Sequence, residues 1–128
     1  GFMQYMLSEA VQYAKTRKQF GEPIGRFQAI QDKIARARMK IDASRLLVYS
    51  SASKKDQGIP APIESSIAKL YATEAAIELG YDMGQIFGGY CFIHEYPVER
   101  AYRDARLGTL GGGTSEIMRS IIAANLAS

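Results

Sequence analysis

The sequence predicts an all-α fold, an antiparallel four-helix bundle, on three observations. Apolar residues recur at steps of three and four through long stretches of the chain. The four prolines, Pro23, Pro60, Pro62 and Pro97, fall between those stretches and never inside one. No segment shows the two-residue alternation of a strand.

The first helix is expected from Phe2 to about Arg17, with Met3, Leu7, Ala10 and Ala14 on one stripe and Phe2, Met6 and Tyr13 flanking it. Gly21 and Pro23 end it. The second runs from about Arg26 to Asp56 on Phe27, Ile30, Ile34, Ala37, Ile41, Ser44 and Val48, stopped by Gly58 and Pro60. The third covers roughly Ile63 to Phe87 on Ile63, Ile67, Leu70, Ile77, Tyr81 and Gly84, closed by Gly88-Gly89. A short piece, Pro97 to Arg106, follows. The last helix, Ser115 to about Leu126, turns Ile117, Ile121 and Ala124 inward. Thr114 is its natural N-cap, and Glu116 suits the positive end of its dipole.

The 128 residues fit one domain, spanning 1–128. With 47% hydrophobic and 23% charged residues, disorder and low-complexity architectures are excluded. One cysteine, Cys91, rules out a disulfide framework, and with one histidine, His94, a zinc cage. A net charge of +3 is too small to imply nucleic acid, and no apolar run is long enough to span a membrane. Gly1 opens directly into helical sequence, which points to a piece of a longer protein.

Three segments carry more than fold. Arg17 and Lys18 close the first helix before Gln19-Phe20-Gly21. They are helix-end cations or a phosphate clamp, with Phe20 placed to stack on a ring. In Gln85-Ile86-Phe87-Gly88-Gly89-Tyr90 one glycine suffices for a helix cap, so the second leaves room for a ligand or another chain to approach the backbone. Gly111-Gly112-Gly113 precede a helix N-terminus whose free N–H groups suit an anion or a polarised carbonyl. No Lys follows these glycines, and no strand precedes them, so they form neither a Walker loop nor a dinucleotide fingerprint. Glu74, Glu78 and Asp82 stack on one helical face, as a solvated surface or as partners of Arg36 and Arg38.

Taken together, five motifs resemble the C-terminal helical domain of the acyl-CoA dehydrogenase family. They are Ala14-Lys15-Thr16-Arg17-Lys18-Gln19-Phe20-Gly21; Phe27-Gln28-Ala29-Ile30-Gln31; Gln85-Ile86-Phe87-Gly88-Gly89-Tyr90; Glu95-Tyr96-Pro97-Val98-Glu99-Arg100 with Tyr102-Arg103-Asp104-Ala105-Arg106; and Gly113-Thr114-Ser115-Glu116-Ile117. The resemblance covers nearly the whole chain. It implies the C-terminal portion of a longer, FAD-dependent flavoenzyme that removes hydrogens from Cα and Cβ of an acyl-CoA thioester. It also implies an electron acceptor such as electron-transfer flavoprotein, and a homotetramer built as a dimer of dimers in a bacterial cytoplasm or a mitochondrial matrix.

By the same resemblance, Arg17, Phe20, Phe27, Gln28, Gln85, Gly88 and Gly89 contact FAD across a subunit interface. Thr114 and Glu116 contact it within the subunit, and Gly112 and Gly113 meet the substrate. Many relatives carry the catalytic Glu where this chain has Gly112, so no catalytic residue is expected in residues 1–128. A minority place the base about two dozen residues before the Arg-Lys-x-Phe-Gly motif, which here falls before Gly1. The alternatives are an acyl-CoA oxidase, a base-less homologue that is not a dehydrogenase, or a stand-alone helical interaction module. An exposed apolar patch drawn from Phe2, Met6, Tyr71, Tyr81, Phe87 and Phe92 is expected to mediate self-association.

Overall fold

Pro62 and Pro97 each supply the first residue of a helix, where the missing N–H is no loss and the fixed φ already matches. The computed structural model, described for residues 1–127, has five α-helices. They are α1 (Phe2–Thr16), α2 (Gln28–Asp56), α3 (Pro62–Phe87), α4 (Pro97–Ala105) and α5 (Ser115–Ala127). Short 3₁₀ turns occupy Ile24–Arg26, Gly88–Phe92 and Arg106–Thr109. The all-α prediction holds, with one addition. Lys18–Gln19 pairs antiparallel with Glu22–Pro23 as a minimal hairpin. Two residues per strand are too few for any alternation to be read.

The contacts fix the chain directions. Partners advance along α2 as they retreat along α3: Lys33 with Asp82, Lys40 with Glu78, Ser51 with Ser65, Lys54 with Glu64. The same reversal relates α3 to α4. Phe87 meets Tyr96, their ring centroids 5.8 Å apart, and further back Gly80 lies under Tyr102. A Cβ on Gly80 would come within 2.9 Å of the Tyr102 ring, so glycine permits this close approach.

The core lies where α1, α2 and α4 surround α3, and Met6, Leu79, Met83 and Val98 are its largest fully buried side chains. Burying each contributes about 1.5–3 kcal/mol. α4 is therefore a full member of the bundle, with Val98, Ala101 and Ala105 buried. α5 instead packs mainly on α3 and buries Ser115 and Met118.

Several expected stripes differ. In α1, Met6 is wholly buried and Met3 is half-buried. In α2, Val48 is exposed. Of the six residues assigned inward on α3, only Gly84 is buried; Ser66, Ala68, Ala75, Leu79, Gly80, Met83, Ile86 and Phe87 are buried with it. α3 touches all four other helices, so it is covered on several sides and has no single inner stripe. On α5, Ile117 and Ala124 are exposed, Ile121 is half-buried, and Met118 turns inward.

The expected patch loses Met6 and Phe87 to the core. Phe2, Tyr71, Tyr81 and Phe92 stay exposed, joined on α2 by Met39, Leu46 and Tyr49. Glu74, Glu78 and Asp82 pair with Arg119, Lys40 and Lys33, not with Arg36 and Arg38. Those two arginines bind Asp32 and Asp42 one turn away, each at 2.7 Å. Cys91 is half-buried against Gly84. No described helix is long and apolar enough to cross a membrane.

Candidate functional site

α1 ends because Arg17 turns into extended backbone (φ −68°, ψ 128°), its N–H still bonded to the Tyr13 carbonyl at 2.8 Å. The chain then reverses through the hairpin at Phe20-Gly21. Both residues have positive φ, 54° and 85°, the pattern of a primed two-residue turn. Phe20 is the only described non-glycine residue in the left-handed region, and it is 93% exposed. A large side chain held out to solvent on strained backbone is what functional positions tend to store.

Phe20 stands edge-on to the half-buried Phe27, centroids 6.1 Å apart. With Arg17, Tyr13, Ile30, Gly88, Gly89 and Tyr90 they line a groove of 560 Å³. Aromatic rings that line it pack on one another and on Tyr96, outside the lining: Tyr13 stacks on Phe87 at 4.4 Å, and Tyr90 lies 5.0 Å from Tyr96. The Arg17 guanidinium sits 5.8 Å from the Tyr90 ring centroid, and no carboxylate among the described residues pairs with it. Burial, only partly offset by the charge of Arg17, pushes the Tyr13 phenol above its ordinary value. The groove thus joins one uncompensated cation to flat apolar walls. That combination suits an anionic group attached to an aromatic ring.

Five of the expected residues, Arg17, Phe20, Phe27, Gly88 and Gly89, meet on this groove. Gln28, first in α2, and Gln85, in the last turn of α3, are exposed beside it and do not line it. The expectation missed Tyr13, Tyr90 and Ile93. The available signal was four aromatic residues, Tyr13, Phe87, Tyr90 and Tyr96, near helix ends that must converge.

Gly112, Gly113, Thr114 and Glu116 form a second cluster where the 3₁₀ turn Arg106–Thr109 leads into α5. The Thr114 hydroxyl accepts the Ile117 N–H at 3.3 Å, the expected N-cap bond. Glu116's carboxyl lies below its ordinary value, first through its own backbone N–H, then through the Thr114 hydroxyl and the charges of Arg119 and Arg106. Gly112 and Gly113 have φ of 65° and 97°, and a Cβ on Gly113 would overlap the Met118 terminal methyl at 2.6 Å. Among the described residues, neither glycine N–H has a hydrogen-bond partner. The Lys69 ammonium, on α3, donates to the Gly113 carbonyl. Lys69 and Phe87 lie roughly 27 Å apart along α3 at about 1.5 Å per residue, so the two clusters occupy different parts of the domain.

Comparison with known proteins gives one consistent result. Residues 1–127 match the family model described as acyl-CoA dehydrogenase, C-terminal domain. The chain is 49% identical over 126 residues to a 3-(aryl)acrylate reductase of Clostridium sporogenes, covering 98% of this chain and 33% of that protein. It is 47% identical, with the same coverage, to the caffeyl-CoA reductase–Etf complex subunit CarC of Acetobacterium woodii. Among solved structures, butyryl-CoA dehydrogenase from Megasphaera elsdenii superposes with a TM-score of 0.97 at 39% identity, over 99% of this chain and 33% of that one. The chain spans about one third of the length of each of these relatives.

Proposed function

Because this chain belongs to the acyl-CoA dehydrogenase family, as its C-terminal domain, we propose that it serves a longer FAD-dependent enzyme of acyl-CoA thioesters. What carries the proposal is the meeting of Arg17, Phe20, Phe27, Gly88 and Gly89 on one groove. The groove fits a flavin dinucleotide. Arg17 offers a planar donor fork to the pyrophosphate without an internal competitor, Phe20 offers a ring face, and Gly88-Gly89 leave the backbone open. Gln28 and Gln85 flank it as further polar contacts. When bound, FAD supplies the hydride acceptor or donor that no side chain of this domain provides.

At the other cluster, the N–H groups of Gly112 and Gly113 are free to donate to a thioester carbonyl. Charge on that oxygen grows as the α carbon loses its proton, so these donors act most strongly in the transition state. Gly112 has no side chain to take the proton, and the base belongs to a part of the enzyme outside this domain. Thr114 and Glu116 hold the start of α5 in register with the glycines and present a hydroxyl and a carboxylate to the same cofactor. Since the two clusters lie far apart along α3, we assign them to two cofactor copies. The domain then bridges subunits of a homo-oligomer, a tetramer in the family pattern.

The reverse reaction, saturation of an α,β-unsaturated acyl group, is the second reading. It is favoured by the names of two relatives at 49% and 47% identity, both reductases, while another at 47% is named a probable acyl-CoA dehydrogenase. The donors at Gly112–Gly113 serve either direction equally, because both pass through charge on the same oxygen. An electron-transfer flavoprotein fits as the redox partner, as the name of CarC indicates for that protein. A bacterial cytoplasm or a mitochondrial matrix fits as its location.

The test uses the full-length, FAD-loaded protein under anaerobic conditions with a panel of saturated and α,β-unsaturated acyl-CoA esters. Loss of visible flavin absorbance on adding a saturated ester supports the dehydrogenase direction. Its recovery in the prereduced protein on adding an unsaturated ester supports the reductase direction. A panel that produces neither change overturns both.

A further inference from the structure

The Gly111–Gly113 turn contains three consecutive glycines, the residues that lose most freedom when ordered. A donor pair that stabilises developing charge must nevertheless be held still before the charge appears. Two anchors bracket Gly112. On one side, the Gly111 N–H donates to the Leu107 carbonyl at 2.8 Å. On the other, the Lys69 ammonium donates to the Gly113 carbonyl. The bond from Lys69 crosses from α3 to the turn, linking the loop to the central helix of the bundle.

Lys69 is half-buried, and no carboxylate among the described residues pairs with it. The three lysines that reach across from α2 to α3, Lys33, Lys40 and Lys54, each end on an acid. The Lys69 ammonium is held by a backbone oxygen, with no opposing carboxylate to cancel its charge. Beside donors aimed at an oxygen that becomes negative, its charge has a second use, because positive potential there favours the charged form.

From this geometry we infer that Lys69 is a positioning residue for the thioester carbonyl. It holds the Gly113 carbonyl and so the peptide that follows Gly113, which restricts how the two preceding peptides turn and keeps the Gly112 and Gly113 N–H groups toward the substrate, and it adds positive potential near them. The inference rests on the placement of the thioester at Gly112–Gly113.

The test uses the full-length, FAD-loaded protein and acetoacetyl-CoA, whose enolate carries its charge on the carbonyl oxygens and is visible in the near ultraviolet. The readout is the pH at which the bound compound becomes enolate. The wild type should lower that pH relative to free acetoacetyl-CoA. Lys69→Met should raise the bound midpoint by about one pH unit, roughly tenfold weaker stabilisation and less than the 10²–10³ that loss of an oxyanion donor itself costs. Lys69→Arg should restore it, and FAD content should be unchanged in both. Should Lys69→Met fail to fold, Lys69→Gln, which keeps a donor without the charge, should show the same upward direction. A wild-type midpoint in the Met variant, or in the Gln variant where the Met variant does not fold, overturns the role of Lys69 and leaves the glycine site standing. A wild type that binds acetoacetyl-CoA without lowering its midpoint overturns both.

Discussion

Phe20 shows how a residue can be chosen against its own backbone. Asn followed by Gly is the favoured pair for a primed hairpin turn, yet this chain places Phe before Gly21 at φ 54°. Phe20→Asn should therefore stabilise the 128-residue chain by about 1 kcal/mol, the scale of a left-handed conformation for an ordinary L-residue. Urea unfolding measures it. The same change in the full-length protein should weaken FAD retention, because the exposed ring is lost. That Phe20 lies beside Arg17 was legible in the Arg17-Lys18-Gln19-Phe20-Gly21 motif. Its strain was not, because composition places no aromatic residue in the left-handed region. Tyr13 and Tyr90 were missed for a related reason: each lies near an element end, where no periodicity tells which way a ring turns.

At the scale of elements, the helices were legible and their inner faces only partly so. α1 and α2 show a readable face because each has an open side, whereas α3 is covered by four neighbours and its apolar residues point several ways. The short α4 was undervalued for its length, although Val98, Ala101 and Ala105 recur at three and four. Val98→Ala should cost about 2 kcal/mol, from two buried carbons at about 0.8 kcal/mol each and the cavity they leave. Ile117→Ala on the outer face of α5 should stay within about 0.5 kcal/mol. Urea midpoints of the two variants decide whether α4 or α5 completes the core.

The α2–α3 connection adds a pH signature. The Lys54 hydrogen bond, then its own backbone N–H, holds the Glu64 carboxyl below its ordinary value. Stabilisation from a depressed carboxyl is present above the unfolded value and lost as pH falls through the folded one. Glu64→Gln should thus be less stable than wild type at neutral pH. Thermal melts should show the gap closing below about pH 4.5, where the wild-type carboxylate takes up its proton.

For the whole molecule, the domain carries two clusters of proposed ligand contacts at different places along α3. The motifs named the residues of both clusters but not the separation of the clusters, which depends on how five helices stack. Nor did they announce that Met39, Leu46 and Tyr49 leave an apolar face on α2. The proposed assignment of the two clusters to two cofactor copies makes a sharp demand on assembly. On that assignment, Arg17→Ala in the full-length protein removes the groove contact that a subunit lends to its neighbour. Gly113→Val, a Cβ forced onto φ 97° and into Met118, spoils the turn assigned to a subunit's own cofactor. Each variant alone should purify depleted of FAD. Co-expressed with different tags and isolated as mixed dimers, they should regain about half occupancy, because an isologous pair then contains one site with both halves intact. Flavin absorbance per subunit of the doubly tagged fraction is the measurement: about one FAD per two subunits is the expected result, and a mixed fraction as empty as its parents would contradict the account.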